Sequence, residues 1–462
     1  MGLQAVLNVL PAELRGRVSE LAKGEGEAAR SGRNALEVYA IRVFSAGIAF
    51  LSHIVLARWL GAHEFGIFTY VWIWVLVIGS LCAIGFDTTV LRFVQEYQTK
   101  KAFDYLRGFL ICGRIVAFGI GTVSAGLGIS LITLWPDAVD PVYRNALVLA
   151  LCCVPAFALM DYLDGVGRSQ SWMRLALIPP YILRPVLIFV FFALAVAAGF
   201  DVRGETAVMA AIAATWGACL VQYLLQRRAL AKIVPAGPRR FKVGFWVSVS
   251  VPLVMIDAFE LLMTNLDTLL LQLFVSPDQI AIYFAAARTT ALIAFVQFAV
   301  TAAFLPRIAA AFAENDYNTL SHCLRTGCKW TFWPSLAGTL VLVALGKPLL
   351  WLFGPEFTAG YGALLILLVG VMARAAAGPS QGVLVLTGRQ KMAAGISFAT
   401  LLVNAGLNLA LIPSYGLHGA AIATSTAFAL EALAAMYVAH RVIRQTVERE
   451  QKRGTDEQLA LS

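Results

Sequence analysis

Ser250, Asp257, Glu260, Thr264 and Asp267 are separated by seven, three, four and three residues in a stretch otherwise rich in Val, Leu, Met, Phe and Ile. That spacing places them in one stripe along an α-helix. Three carboxylates on one apolar helix have two uses. They line a cavity and take up a proton or a sodium ion, or they pair with basic residues of neighbouring helices in an internal salt-bridge network. Asp267, nearest the end of the stretch, best suits a structural role. Basic residues are present in similar settings: Arg42, Arg114, Arg184, Arg288 and Arg374 each lie within a long apolar stretch. A charge at the centre of a bilayer costs about 2.5–3.5 kcal/mol on insertion scales. A chain that keeps five such arginines is expected to surround a hydrated cavity, and the excess of cations fits an anion.

Arg42, Ser45 and Ser52 share a helix face, with His53 beside it, and Arg42 is about two turns inside its stretch, beyond easy snorkelling. A guanidinium grips a diphosphate through two parallel hydrogen bonds, which lysine does less well. Arg288 is the matching candidate from later in the chain. Arg184 sits among Pro179, Pro180 and Pro185, where lost backbone hydrogen bonds kink a helix and leave carbonyls free to face a cavity. Arg42, Arg288, Arg184 and Ser45 are therefore the candidate ligand-binding residues, and Asp257, Glu260 and Asp267 the candidate ion-coupling residues. For each arginine the alternative is an ion-pair partner or an interfacial anchor. Arg114 lies close to a cytoplasmic end and is expected to snorkel.

Composition says what holds these side chains. At 462 residues, 59% hydrophobic and 14% charged, the chain is far from soluble globular usage. Apolar stretches long enough to cross a hydrocarbon core recur over 36–57, 67–86, 109–134, 146–163, 175–199, 207–226, 245–273, 284–305, 330–346, 362–386, 393–413 and 419–439. This predicts an all-α polytopic membrane protein of about twelve spans. No hydrophilic stretch of domain size interrupts them, and there is neither a Walker A loop nor a GxSxG elbow, so no enzyme and no catalytic residue is expected. Seven scattered cysteines without a CxxC give no metal site, disulfide or other cofactor.

The net charge of +9 does not call for nucleic acid. With the N-terminus on the cytoplasmic side, four of the 36 Lys and Arg residues (Arg58, Arg144, Arg203, Lys347) fall in outer loops and five in spans, leaving 27 on the cytoplasmic side. That is the positive-inside pattern, with both termini cytoplasmic. Residues 1–35 are too charged for a signal peptide and read as a cytosolic amphipathic segment lying on the membrane. The basic linker 227–244 separates a first bundle of six spans (36–226) from a second (245–440), and 441–462 is a charged cytosolic tail expected to fray. A shift of 215 residues places 60–68 against 275–283 and Arg92 on Arg307. Six spans per half insert with one orientation, so the halves should relate by a two-fold axis along the membrane normal, with a cavity between them that rocking exposes to either side.

Several segments together carry a family resemblance. They are Leu56-Ala57-Arg58-Trp59-Leu60-Gly61 through Phe68, then Gly85-Phe86-Asp87-Thr88-Thr89, then Asn265-Leu266-Asp267-Thr268 before Ile280-Ala281-Ile282-Tyr283. Later come Leu352-Phe353-Gly354-Pro355-Glu356-Phe357, Thr387-Gly388-Arg389, and Asn404 to Asn408 leading into Pro413-Ser414-Tyr415-Gly416. In order and spacing, over about residues 36–440, they resemble the polysaccharide-flippase branch of the multidrug/oligosaccharidyl-lipid/polysaccharide exporter superfamily. The resemblance implies a bacterial inner-membrane transporter that turns over an undecaprenyl-diphosphate-linked oligosaccharide for O-antigen, capsule or exopolysaccharide assembly. It also implies partners in membrane lipids, a polysaccharide polymerase and chain-length machinery. Arg42 resembles that family's first-span basic position and Arg288 an eighth-span one. The rival readings are a cation-coupled multidrug exporter of the same superfamily, which the intramembrane arginines oppose, and a membrane-embedded polymerase or ligase, which the short outer loops oppose. The flippase for the peptidoglycan precursor usually carries fourteen spans, two more than are read here.

Overall fold

The structure, a computed structural model, describes residues 27–461 apart from Asn315. The first 26 residues of the expected amphipathic segment lie outside this range. With no water in the hydrocarbon core, backbone groups must be satisfied within each segment, and every described element is helical. Helix α1 runs Glu27–Cys82, broken at Gly61 (φ 74°, ψ 170°). As a straight rod it would measure about 84 Å against a core of about 30 Å, so the break divides two spans. Glycine takes a positive φ at little cost, which is why the corner falls there.

Span two continues as α2 (Phe86–Thr99) after Gly85, again at positive φ. Helix α3 is Phe103–Leu134. Span four is a bent pair, α4 (Pro141–Leu151) and α5 (Val154–Ser169), meeting at 50° next to Pro155. Span five consists of α6 (Met173–Ile178), a π-helical segment Pro179–Leu183, and α7 (Arg184–Ala197). The expected proline kink is thus a local widening of the helix. Helix α8 (Gly204–Ala231) ends the first half.

The second half opens with α9 (Val243–Leu271) and α10 (Pro277–Thr290), and α10 continues through a single 3₁₀ turn into α11 (Ala294–Ala313). Helix α12 spans Tyr317–Phe353. Span ten, read as one stretch over 362–386, is interrupted at Gly378-Pro379 between α13 (Tyr361–Ala377) and α14 (Ser380–Leu386). Helix α15 (Gln390–Leu461) breaks at Gly416, and the tail expected to fray continues it as helix to Leu461. Among the described residues, nine helices are long and apolar enough to cross a membrane, ten with the bent pair counted as one. Dividing the Gly61 and Gly416 helices adds two, giving the twelve spans in two sets of six.

The halves meet along spans one, two, seven and eight. At one end of the bundle, the end expected to face outward, Gly66 rests against Pro277, where a Cβ would fall 1.9 Å from the Pro277 carbonyl oxygen. Behind it Phe65, Phe284, Phe353 and Phe357 are buried against one another. Toward the other end Thr89 hydrogen-bonds Ser250 at 2.8 Å, and Trp246 Nε1 donates to Tyr97 Oη at 2.9 Å. Between the two levels the helices part around a cavity.

Candidate functional site

Span one brings Arg42, Ser45, Ser52 and His53 to this cavity on one helix face. Span two adds Thr69 and Trp72, the π segment of span five adds Tyr181, the first residue of α7 adds Arg184, and the last turn of α10 adds Arg288 beside Phe284. The cavity measures about 360 Å³. All four residues read as ligand-binding, Arg42, Arg184, Arg288 and Ser45, therefore line one space, although they come from three helices and both halves.

The guanidinium groups are held by rings. Arg42 Cζ stands 5.9 Å from the centroid of Tyr181 and 5.7 Å from that of Phe298. Arg184 lies 4.8 Å from Phe157 and 5.5 Å from Trp72, and Arg288 4.7 Å from Phe284. Cation–π attraction positions a cation without neutralising it. Among the described residues none of these three guanidiniums makes an ion pair or a hydrogen bond, and Arg184 Nε is buried without a partner.

The other intramembrane arginines are different. Arg374 pairs with the buried Glu431 at 3.8 Å and lies over Phe428. Arg168, in the last turn of α5, pairs with Asp164 at 2.9 Å. Arg114 packs over Tyr223. Arg374 and Arg168 are thus ion-paired and Arg114 is held on a ring away from the cavity, whereas Arg42, Arg184 and Arg288 face the cavity without an ion pair among the described residues.

The acidic stripe divides as well. Asp257, Glu260, Thr264 and Asn265 line a second cavity of about 340 Å³ together with Leu76 and Arg288. Arg288 is shared by both cavities. Thr88 Oγ1 donates to Asp257 at 3.3 Å across the halves. Neither Asp257 nor Glu260 is ion-paired among the described residues, so the salt-bridge network allowed by the sequence does not form on them. Asp267 is elsewhere: it is buried inside the second half, accepting from Tyr283 Oη, from Thr424 Oγ1 at 3.1 Å and from the Thr268 amide at 2.7 Å. Ser250, at the other end, turns to Thr89. A seven-residue repeat drifts by about 20° around a straight helix, so a stripe 17 residues long faces different neighbours at its two ends.

Sequence reasoning missed the aromatic wall, Trp72, Tyr181 and Phe284. Its signal was available only in part: Phe68 and Trp72 stack at i, i+4, and Tyr181 precedes Arg184 by three. It also missed Asp161 and Asp164, behind the arginines, where Ser80 Oγ donates to Asp161 at 2.7 Å.

A multi-span helical bundle whose two halves enclose a charged cavity is the architecture of a membrane transporter. The chain belongs to the polysaccharide biosynthesis protein family, whose profile matches residues 31–312, and a second profile, MatE, matches residues 252–410. Both place it in the multidrug/oligosaccharidyl-lipid/polysaccharide exporter superfamily. No curated protein matches it. Among solved structures it is similar to an inward-facing multidrug resistance MATE family transporter (14% identity, TM-score 0.67, covering 89% of this chain and 95% of that one). It is similar to the lipid II flippase MurJ in an inward closed conformation (13%, 0.68, 87% of each chain). A transporter of the same superfamily from Pyrococcus furiosus, described as having reversed polarity of its binding pocket, is a third (15%, 0.65, 92% and 98%). At these identities the likeness is one of fold.

Proposed function

We propose that this protein flips an undecaprenyl-diphosphate-linked oligosaccharide across the bacterial inner membrane by alternating access, supplying repeat units for O-antigen, capsule or exopolysaccharide assembly. The observation that carries this reading is the set of three unpaired guanidiniums, Arg42, Arg184 and Arg288, around one cavity. In a poorly solvated site such charges favour an anion, and guanidinium forks match diphosphate oxygens. Ser45 lies on the same wall. A further space of about 320 Å³ continues from Arg42, His53 and Arg288 between spans one and eight, past Ala46, Phe50, Leu292 and Phe298. An anionic head beside an apolar slot fits an amphiphile whose tail stays in the bilayer while its head crosses.

In this cycle the headgroup enters from the cytoplasmic side, the halves rock about the two-fold axis, and the head is exposed outside. Asp257 and Glu260 take up a proton or sodium ion beside Arg288, so cargo and carboxylates compete for one guanidinium. Asp267 contributes through the packing of span seven. The polymerase and chain-length machinery would act on the product outside.

The MatE match favours one alternative, a cation-coupled multidrug exporter. That reading wants an anionic cavity, and the main cavity here is cationic. The test is flipping of a labelled undecaprenyl-diphosphate oligosaccharide in proteoliposomes, with Arg42→Ala beside the unaltered protein. Translocation that is lost in the variant supports the reading. No translocation of any lipid-linked glycan, together with export of amphipathic cations, overturns it.

A further inference from the structure

Two segments singled out in the sequence, Leu56 to Gly61 and Leu352 to Phe357, reach the cavity only through Leu56, yet they meet at the outer surface. Arg58, at the outer end of span one, donates from Nε to the Leu352 carbonyl at 2.8 Å and from Nη2 to the Trp351 carbonyl at 2.7 Å. Its Cζ lies 4.5 Å from the centre of the Trp351 ring. These carbonyls belong to the last turn of α12, which ends at Phe353. The final carbonyls of a helix have no intrahelical partner and form the negative end of its dipole. Here the Gly354 amide caps the Trp351 carbonyl locally at 3.1 Å, and the remaining capping comes from Arg58 in the opposite half of the molecule.

Arg58 has no carboxylate partner among the described residues, so its polar contacts are those to α12. Behind it lies a ring-filled seal: Phe50 on Phe353 (5.5 Å between centroids), Phe65 on Phe357 (6.2 Å) and Phe65 on Phe284 (6.0 Å). Rings slide apart without a directional penalty, whereas two aligned hydrogen bonds from one rigid fork fix register. Exposing the cavity to the outside requires spans one and nine to separate, and all three Arg58 contacts then break together. Both freed carbonyls and the guanidinium are at the surface, where water replaces the lost bonds, so the contact biases the closed state without making opening prohibitive.

We propose that Arg58 is the latch of the outer gate, the positioning residue that holds the halves together on the outer side and sets the resting transporter open to the inside. The inference rests on the alternating-access reading, but its test does not need the cargo. Spin labels at Asp137 and Ala359, exposed positions on the outer ends of the two halves, report the outer separation by pulsed distance measurement in nanodiscs, with exposed Cys152 replaced by Ser. Arg58→Ala should raise the outward-open population about tenfold, the net worth of one charge-assisted hydrogen bond. Arg58→Lys, with a single point donor, should fall between the two. A distance distribution in folded Arg58→Ala identical to the unaltered protein overturns the proposal.

If Arg58→Ala does not fold, Arg58→Cys with Leu352→Cys, joined by a reducible thiol cross-linker of arginine length, restores the contact covalently. Transport must stop on cross-linking and return on reduction, and transport that continues when fully cross-linked overturns the latch. A distance shift in Arg58→Ala with no flipping of any lipid-linked glycan keeps the latch and rejects the cargo.

Discussion

His63 and Asp278 are 215 residues apart, the offset that aligns the two halves, and their side chains meet: His63 Nδ1 lies 3.1 Å from Asp278 Oδ2. Positions equivalent under a two-fold rotation touch only beside the axis. If the halves relate by the expected two-fold rotation, the axis passes between these residues. Gly66 and Pro277, whose close approach closes this end of the bundle, lie within a turn of that contact.

The seal makes a steric prediction. Any side chain at residue 66 must displace the Pro277 backbone, so Gly66→Leu should open the outer side, at an overpacking cost of about 1–3 kcal/mol. Outer distance measurements should show the longer separation. Gly119→Leu, at a site with nothing within 4 Å of its Cβ position, should leave the distances as they are.

The three unpaired arginines should separate function from stability. Arg42→Ala, Arg184→Ala and Arg288→Ala should each reduce glycan flipping at least about tenfold, which is roughly 1.4 kcal/mol. Their melting temperatures should change little, because no buried carboxylate loses an ion-pair partner. A large loss of stability in all three would make them scaffold.

Arg374 should behave in the opposite way. Removing it strands Glu431, which is only 6% exposed, and breaking such a pair from one side costs about 3–5 kcal/mol. Arg374→Ala should therefore lower the melting temperature sharply, and Arg374→Met with Glu431→Met should recover most of the loss. Failure of the double variant to recover would mean that Glu431 is held by Ser397 and Gln381 rather than by the arginine.

Asp257→Asn with Glu260→Gln tests the coupling. Flipping should persist but lose its dependence on a proton or sodium gradient, read by imposing each gradient on proteoliposomes. Unchanged ion dependence would count against these two carboxylates.

Asp267 should act through packing. Asp267→Asn and Tyr283→Phe should each destabilise the second half by about 1–3 kcal/mol. Because both disturb one hydrogen bond, their effects should fall short of additivity in a double-mutant cycle.

Much of the architecture was legible because each signal is local. The Pro179–Pro185 cluster marks a distortion through its own backbone limits, and the gaps between apolar stretches at 57–67 and 413–419 bracket the breaks that the structure places at Gly61 and Gly416. The interruption at Gly378-Pro379 was hidden inside a continuous apolar run, since hydropathy does not register a single left-handed glycine. The cavity was partly legible: Arg42, Arg184, Arg288 and Ser45 could be named, but Trp72, Tyr181 and Phe284 look like any apolar wall until the helices are assembled.

The sequence by itself determined twelve membrane-length segments, six in each half, and a cluster of charges too costly for lipid. These follow from composition, length and order, which are properties of the chain taken a segment at a time. Tertiary structure alone decided which charges are free. Arg288 and Arg374 are the same residue type in similar apolar runs, but Glu431, 57 residues beyond Arg374, turns to meet one, while among the described residues no carboxylate pairs with the other. Pairing depends on which helix faces are packed together, and a drift of a few tens of degrees along span seven suffices to bury Asp267 among hydroxyls and leave Asp257 and Glu260 beside the cavity.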